Sequence, residues 1–261
     1  MILGCHSYSL CRHPRAEAFA RLGALGLGSI ELWCGHANYR DPDLRTDEVL
    51  AEARRHGLTI ESYCVGGLFG LPLEEVESRL RRAFAVATAL ETDLVTGIVD
   101  LRAVKLVEQL CIRQRMRFAI ENHWYTEFAH PADFAVLGEM RSCVGIALDT
   151  GHFSFLGYSP AAVVGQLGHR TFDVHLKLVD PVGPLRRLCR RWQHQHSLPA
   201  AETGPKDGLG PLVEALWAVG FEGLLAIEHE SEVSSPAAID RLRTRVRHVG
   251  GNRLEESSRD N

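Results

Sequence analysis

Apolar residues along the chain fall into two alternating patterns: short runs that stop at a polar side chain, and longer stretches in which apolar positions recur every three or four residues. The first pattern reads as strands buried on both faces and the second as amphipathic helices. In order, it predicts a strand over Ile2–Ser7, a helix over Pro14–Leu25 with Gly26 and Gly28 at its end, and a strand over Ser29–Trp33. Thr46 caps a second helix that runs to His56 and stops at Gly57. Leu58–Cys64 is a third strand, and Gly66-Gly67 opens the loop after it. Leu73, Val76, Leu80, Ala83, Phe84 and Ala87 lie at helical spacing opposite Glu75, Ser78 and Arg82, which predicts a long helix over Leu73–Leu90.

A fourth strand, Leu94–Ile98, leads through the short link Val99-Asp100 into a helix over Leu101–Gln114. The fifth strand, Phe118-Ala119-Ile120, closes on Glu121-Asn122-His123, and His130-Pro131 begins a fifth helix reaching Met140. Val144–Leu148 closes on Asp149 with His152 beyond it, and Ser159-Pro160 begins the sixth helix. Phe172–Lys177 is the seventh strand, and it carries His175. From Asp180 to Lys206 the pattern is irregular, and long loops in compact domains are commonly functional or disordered. A helix over Leu209–Val219, a strand over Leu224–Glu228, a helix over Ser235–His248 and a polar tail over residues 250–261 complete the chain.

Eight strands alternating with eight helices, with no compositional break, predict the α/β class and a single (β/α)8 barrel over residues 1–249. A doubly wound sheet is the rival, but no Gly-x-Gly-x-x-Gly turn follows the first strand. In a barrel of parallel strands the C-terminal ends converge on one face. Glu121, Asp149, His175 and Glu228, each closing an apolar strand, would then meet at the mouth although they are far apart in sequence. Three carboxylates and one imidazole suit one divalent metal ion, whether manganese, magnesium, cobalt or zinc, with positions left for water or substrate oxygens. Each of these residues alone could equally be a polar strand end beside a loop; the repetition over four consecutive strands carries the signal.

Composition narrows the partners. With 261 residues and 45% hydrophobic content the chain can bury a large core. A formal net charge of -4 and a sequence pI near 6.4 give no general attraction to nucleic acid or to an acidic membrane, so the expected partner is a small molecule. No apolar stretch is long enough to span a bilayer, and the N-terminus lacks the basic start and apolar run of a signal peptide, so a cytoplasmic location is expected. Seven Cys with no Cys-x-x-Cys pair argue against a disulfide framework and against a thiolate zinc site.

The motifs Glu121-Asn122-His123, Asp149-Thr150-Gly151-His152, His175-Leu176-Lys177 and Ala226-Ile227-Glu228-His229-Glu230 resemble those of the xylose isomerase-like TIM barrel superfamily. Within it the sugar phosphate isomerase/epimerase group is the nearest in pattern, and the similarity runs from Ile30-Glu31-Leu32 to the last helix. The resemblance implies that Glu121, Asp149, His175 and Glu228 are metal ligands, that Glu121 and Glu228 are the catalytic pair exchanging protons with substrate, and that His152 contacts a substrate oxygen. It also implies a carbohydrate-like substrate and leaves open a homo-oligomer. Elementary chemistry agrees: loss of a proton beside a carbonyl gives an enediolate, and a carboxylate on each face could take one proton and return another.

The chain departs from the pattern at Leu178, where relatives often carry Asp, at Gly204-Pro205-Lys206-Asp207-Gly208, and at the short Val99-Asp100 link. Lys177 is a candidate for binding a substrate oxygen or phosphate, with a surface ion pair as the competing assignment. His6, Glu31 and Trp33 at the first strand ends are further substrate-contact candidates, and Glu31 and His6 could instead support the ligands from behind. Phe69 could line an apolar wall with Trp33. Arg186, Arg187, Arg190 and Arg191 around Trp192 form a basic cluster, for which a solvated helix face is the usual explanation. The leading expectation is a metal-dependent sugar isomerase or epimerase. An inosose-type dehydratase is the alternative, and an endonuclease IV-like phosphodiesterase or a non-catalytic sugar-binding barrel ranks lower.

Overall fold

Strand β1 (Ile2–His6) pairs in parallel with both β2 (Ser29–Trp33) and β8 (Leu224–Ile227), so the sheet has no free edge. Between them run β3 (Thr59–Gly67), β4 (Leu94–Ile98), β5 (Arg117–Glu121), β6 (Val144–Asp149) and β7 (Thr171–Leu176), in sequence order around a closed barrel. The structure is a computed structural model and describes residues 1–177, 208–229, 236–251 and 254. The single (β/α)8 barrel expected from the alternating pattern is therefore the observed architecture. The Arg186–Arg191 cluster, Trp192, Leu178 and the Gly204–Asp207 turn lie outside the described residues, as does most of the polar tail.

Among the described residues the α-helices around the barrel are α1 (Arg15–Ala24), α2 (Thr46–Arg55), α3 (Leu73–Ala89), α4 (Val104–Gln114), α5 (Thr150–Phe155), α6 (Pro160–Leu167), α7 (Leu209–Ala218) and α8 (Pro236–Gly250). Each contributes buried apolar residues to the main core. In α3 the buried residues are Val76, Leu80, Ala83, Phe84 and Ala87, three of whose four successive spacings are three or four residues. The main core thus lies between helices and barrel wall, while a small apolar cluster of Leu94, Ala119 and Ala147 sits apart from it. No helix among the described residues is long and apolar enough to cross a membrane.

Several boundaries differ from the sequence expectation. Leu73 opens α3 and is 41% exposed, so the apolar stripe begins at Val76. Thr46 is the first residue of α2, not its cap, and Arg45 precedes it with no side-chain capping bond. Strand β3 continues through Gly66 and Gly67. A register shift after Cys64, with Gly66 at φ 73°, lets Gly67 pair with Ile98. The expected fifth helix is a succession of 3-10 turns over Pro131–Glu139, entered through a reciprocal cap between His130 and Asp133. The crossover from β6 to β7 contains two helices, since α5 starts directly at the strand end.

Candidate metal centre

Strand alternation decides which side chains enter the barrel. On β7, Asp173 and His175 share the inward face. Ala119 and Glu121 do so on β5, Ala147 and Asp149 on β6, and Ala226 and Glu228 at the end of β8. Small residues one layer down leave room for long polar chains above them. One atom each from Glu121, Asp149, His175 and Glu228 lies within 4.8 Å of every other, and all four residues are buried. His175 Nδ1 is 3.5 Å from Glu121 Oε1 and 3.3 Å from Glu228 Oε2.

The strand ends are tied to one another by their own polar side chains. Asn122 donates from Nδ2 to the Asp149 carbonyl at 3.1 Å and accepts the Asp149 N–H at 2.7 Å, which locks the end of β6 to the end of β5. Asp149 Oδ1 accepts the His152 N–H at 2.8 Å and so caps α5. Thr150 Oγ1 accepts the Lys177 N–H at 2.9 Å and reaches the His175 carbonyl at 3.1 Å, fastening β6 to β7. These bonds leave Asp149 Oδ2 as the oxygen turned toward the cluster.

Lys177 is not at the surface. Its side chain is 1% exposed, and its ammonium lies 2.8 Å from Asp149 Oδ2 and 3.3 Å from Glu228 Oε1, which corrects the surface ion-pair alternative. Burial raises the Glu228 carboxyl above its ordinary value. Lys177 and His175 work against that rise, and Asp149 and Glu121 add to it. For His175, burial alone would lower the pKa, but Glu31 and then Glu121 more than reverse it and hold it well above the usual imidazole value. His152 shifts the other way, pushed well below that value by burial, Lys177 and His175.

A second group sits behind His175. His175 Nε2 lies 2.7 Å from Glu31 Oε2, off the axis of a well-aligned hydrogen bond, and His6 Nε2 lies 3.6 Å from the same oxygen. Glu31 Oε1 accepts the Thr96 hydroxyl. His6 accepts the Tyr8 N–H at Nδ1 (3.1 Å), so its remaining proton is on Nε2, facing Glu31. Burial lowers the His6 pKa to about 4, with Glu31 opposing. The 2.7 Å contact sets a carboxylate oxygen of Glu31 directly against His175 Nε2, with His6 beside it. Below Glu31, Ser62 donates to Asp173 Oδ2 at 2.7 Å, and burial together with Glu31 raises the Asp173 carboxyl well above its ordinary range.

The structure thus brings Glu121, Asp149, His175 and Glu228 together and sets Lys177, His152 and Glu31 in contact with them; the His6 ring is 5.0 Å from that of His175. Trp33 stands further out, edge-on to Tyr8 at 5.1 Å and to His36 at 5.4 Å. Phe69 meets Tyr125 at 5.4 Å, and on the same side His123 stacks between Tyr125 (3.8 Å) and His152 (3.7 Å). Asn122, Thr150, Thr96 and Asp173 were not among the sequence candidates. Asp173 carried one signal: it lies two residues before His175, on the same strand face.

A model of the family described as xylose isomerase-like TIM barrel matches residues 19–247. The chain belongs to that family. The D-psicose 3-epimerase solved in the presence of D-fructose shares 12% identity with it at a TM-score of 0.74, covering 96% of this chain and 100% of the other. A probable 3-DHS dehydratase, AsbF of Bacillus anthracis, shares 15% at 0.73 over 94% and 99%. A xylose isomerase-like TIM barrel/4-hydroxyphenylpyruvate dioxygenase fusion protein shares 18% at 0.73, and there the alignment takes 97% of this chain but only 44% of the fusion. No curated protein matches the chain in sequence.

The donor set fits a divalent cation. Asp149 Oδ2, Glu228 Oε2 and His175 Nδ1 are buried and make no well-aligned hydrogen bond among the described residues. With the three carboxylates ionised, Lys177 protonated and His175 neutral as a ligand, two negative charges stand in a buried space, which a divalent ion would balance.

Proposed function

We propose that the protein is a divalent-cation-dependent isomerase or epimerase acting on a small sugar, keto-sugar or hydroxy-keto acid. The observation that carries this reading is the pair Glu121, closing β5, and Glu228, just past β8, on either side of His175 Nδ1 at 3.5 and 3.3 Å. Glu121, Asp149, His175 and Glu228 would hold the cation. It would supply stabilisation of the negative charge that develops on oxygen when a proton leaves the carbon beside a carbonyl.

The protein's own groups account for the proton movement. Burial raises the Glu228 carboxyl above its ordinary value and the Lys177 ammonium 3.3 Å away opposes that rise, which suits a group that takes and returns a proton. One glutamate accepts the substrate proton on a carboxylate oxygen, and the other delivers a proton to the opposite face. His152 is held neutral and offers two buried ring nitrogens with no aligned partner among the described residues, which suits a hydrogen bond to a substrate oxygen. In deuterium oxide with Mn2+ present, a ketose panel is expected to take up deuterium at the carbon beside the carbonyl. Binding of Mn2+ with no exchange in any substrate would overturn the reading.

A dehydratase is the second reading. The buried Lys177 ammonium beside Glu228 is a donor that could protonate a departing hydroxyl after the same first step. Product mass separates the two, since dehydration removes one water.

A further inference from the structure

The imidazole of His175 has carboxylates on both of its nitrogens: Glu121 and Glu228 near Nδ1, and Glu31 near Nε2. A neutral imidazole can present only one nitrogen as a ligand, and the partner of the other nitrogen decides which. We propose that Glu31 is the positioning residue for His175, holding the Nε2 proton so that the Nδ1 lone pair faces Glu121, Asp149 and Glu228. This rests on the cation-site reading above.

The support is local geometry. Glu31 is fully buried, so its orientation is not averaged by solvent. Thr96, on β4 just beyond β3, donates its hydroxyl to Oε1, which leaves Oε2 for the 2.7 Å contact with His175 Nε2. His6 is the other donor directed at Oε2, and its own tautomer is set by the Tyr8 backbone N–H. Two imidazole nitrogens, at 2.7 and 3.6 Å, and no carboxylate thus stand nearest to Oε2. The carboxylate holds a proton on whichever nitrogen of His175 faces it, and a flipped ring would set the same nitrogen pair in the wrong places. Glu31 needs no contact with substrate to act in this way.

Replacing such a partner in other carboxylate–imidazole–metal arrangements lowers metal affinity about 10–100-fold. Glu31→Gln keeps the volume and the Thr96 contact but removes the charge that holds the proton. In a Mn2+ titration of the full chain it is expected to bind about tenfold or more weakly than wild type. Thr96→Val, which frees Oε1 and leaves Glu31 in place, is expected to lose less. In the Mg2+-loaded protein, histidine 15N spectra should show His175 protonated at Nε2 and not at Nδ1, with a second tautomer emerging in Glu31→Gln. If folded Glu31→Gln binds Mn2+ as tightly as wild type and its His175 spectrum is unchanged, the positioning role is overturned and the cation site stands. If wild type itself binds no Mn2+, the cation-site reading falls instead. Should Glu31→Gln not fold, Thr96→Val decides alone, and wild-type affinity in that variant overturns the role.

Discussion

Glu31 and Glu228 lie on either side of the same imidazole, both buried, and their carboxyls are driven in opposite directions. Burial alone would raise both. Around Glu31, His175, His6 and the Thr96 hydroxyl more than offset burial and bring it down to about 2. Around Glu228, the help from Lys177 and His175 is outweighed by burial together with Asp149 and Glu121, and it ends raised. The difference is one of company, not depth. A carboxylate surrounded by donors is a fixed anion suited to holding another group, whereas one crowded by other carboxylates gains from a proton or a cation.

The largest effect that tests this contrast is on turnover. At saturating Mn2+, Glu228→Gln is expected to lose about two to four orders of magnitude in deuterium exchange, while Glu31→Gln recovers most of its rate. Equal losses in the two would erase the distinction. Next is Lys177→Met, which strips the cation from Asp149 and Glu228 and leaves the Glu31–Thr96 and Glu31–His175 contacts in place. Breaking a buried pair in this way costs about 3–5 kcal/mol, to be read from urea unfolding without metal, and added Mn2+ should restore part of it.

A smaller effect belongs to the Glu31 side. The His6 pKa is lowered to about 4 from 6.5 in the folded protein, so its contribution is complete above pH 6.5 and is lost as pH falls toward 4, where an unfolded chain binds the proton and the native one does not. At pH 5 the loss is about 2 kcal/mol relative to neutral pH, and His6→Asn should flatten that slope in unfolding curves taken at both values. Thr150→Val touches neither carboxylate group directly. It removes the tie between β6 and β7 and is expected to lower stability by about 1 kcal/mol with little change in Mn2+ affinity.

What the sequence made legible was whatever repeats within a strand or helix. Apolar runs ending at Glu121, Asp149, His175 and Glu228 gave the barrel count and four side chains on one face, because strand direction alone fixes those positions. Lys177 could not be placed in the same way: its burial depends on partners from β6 and β8, which are set by barrel closure. The Glu31–Thr96 and Ser62–Asp173 contacts likewise join strands that are not neighbours, between residues 65 and 111 positions apart. The Pro131–Glu139 turns were read as a helix since Pro at a first turn and a reciprocal cap introduce 3-10 and α geometry alike.

Barrel closure also has a consequence for how the protein forms. The last strand meets the first through Ile2 to Cys5 on Leu224 to Ile227, and the seam is fastened by the Cys5 thiol on the Ile227 carbonyl at 3.1 Å and by the His229 N–H on Ser9 at 2.9 Å. Glu228 follows directly on that seam. During synthesis on a ribosome, β1 must therefore wait for more than 200 residues before its outer neighbour emerges, and the proposed ligand set lacks its fourth member until then. A cation supplied during refolding would act on the closing of this seam and leave the earlier strand pairings at their own pace.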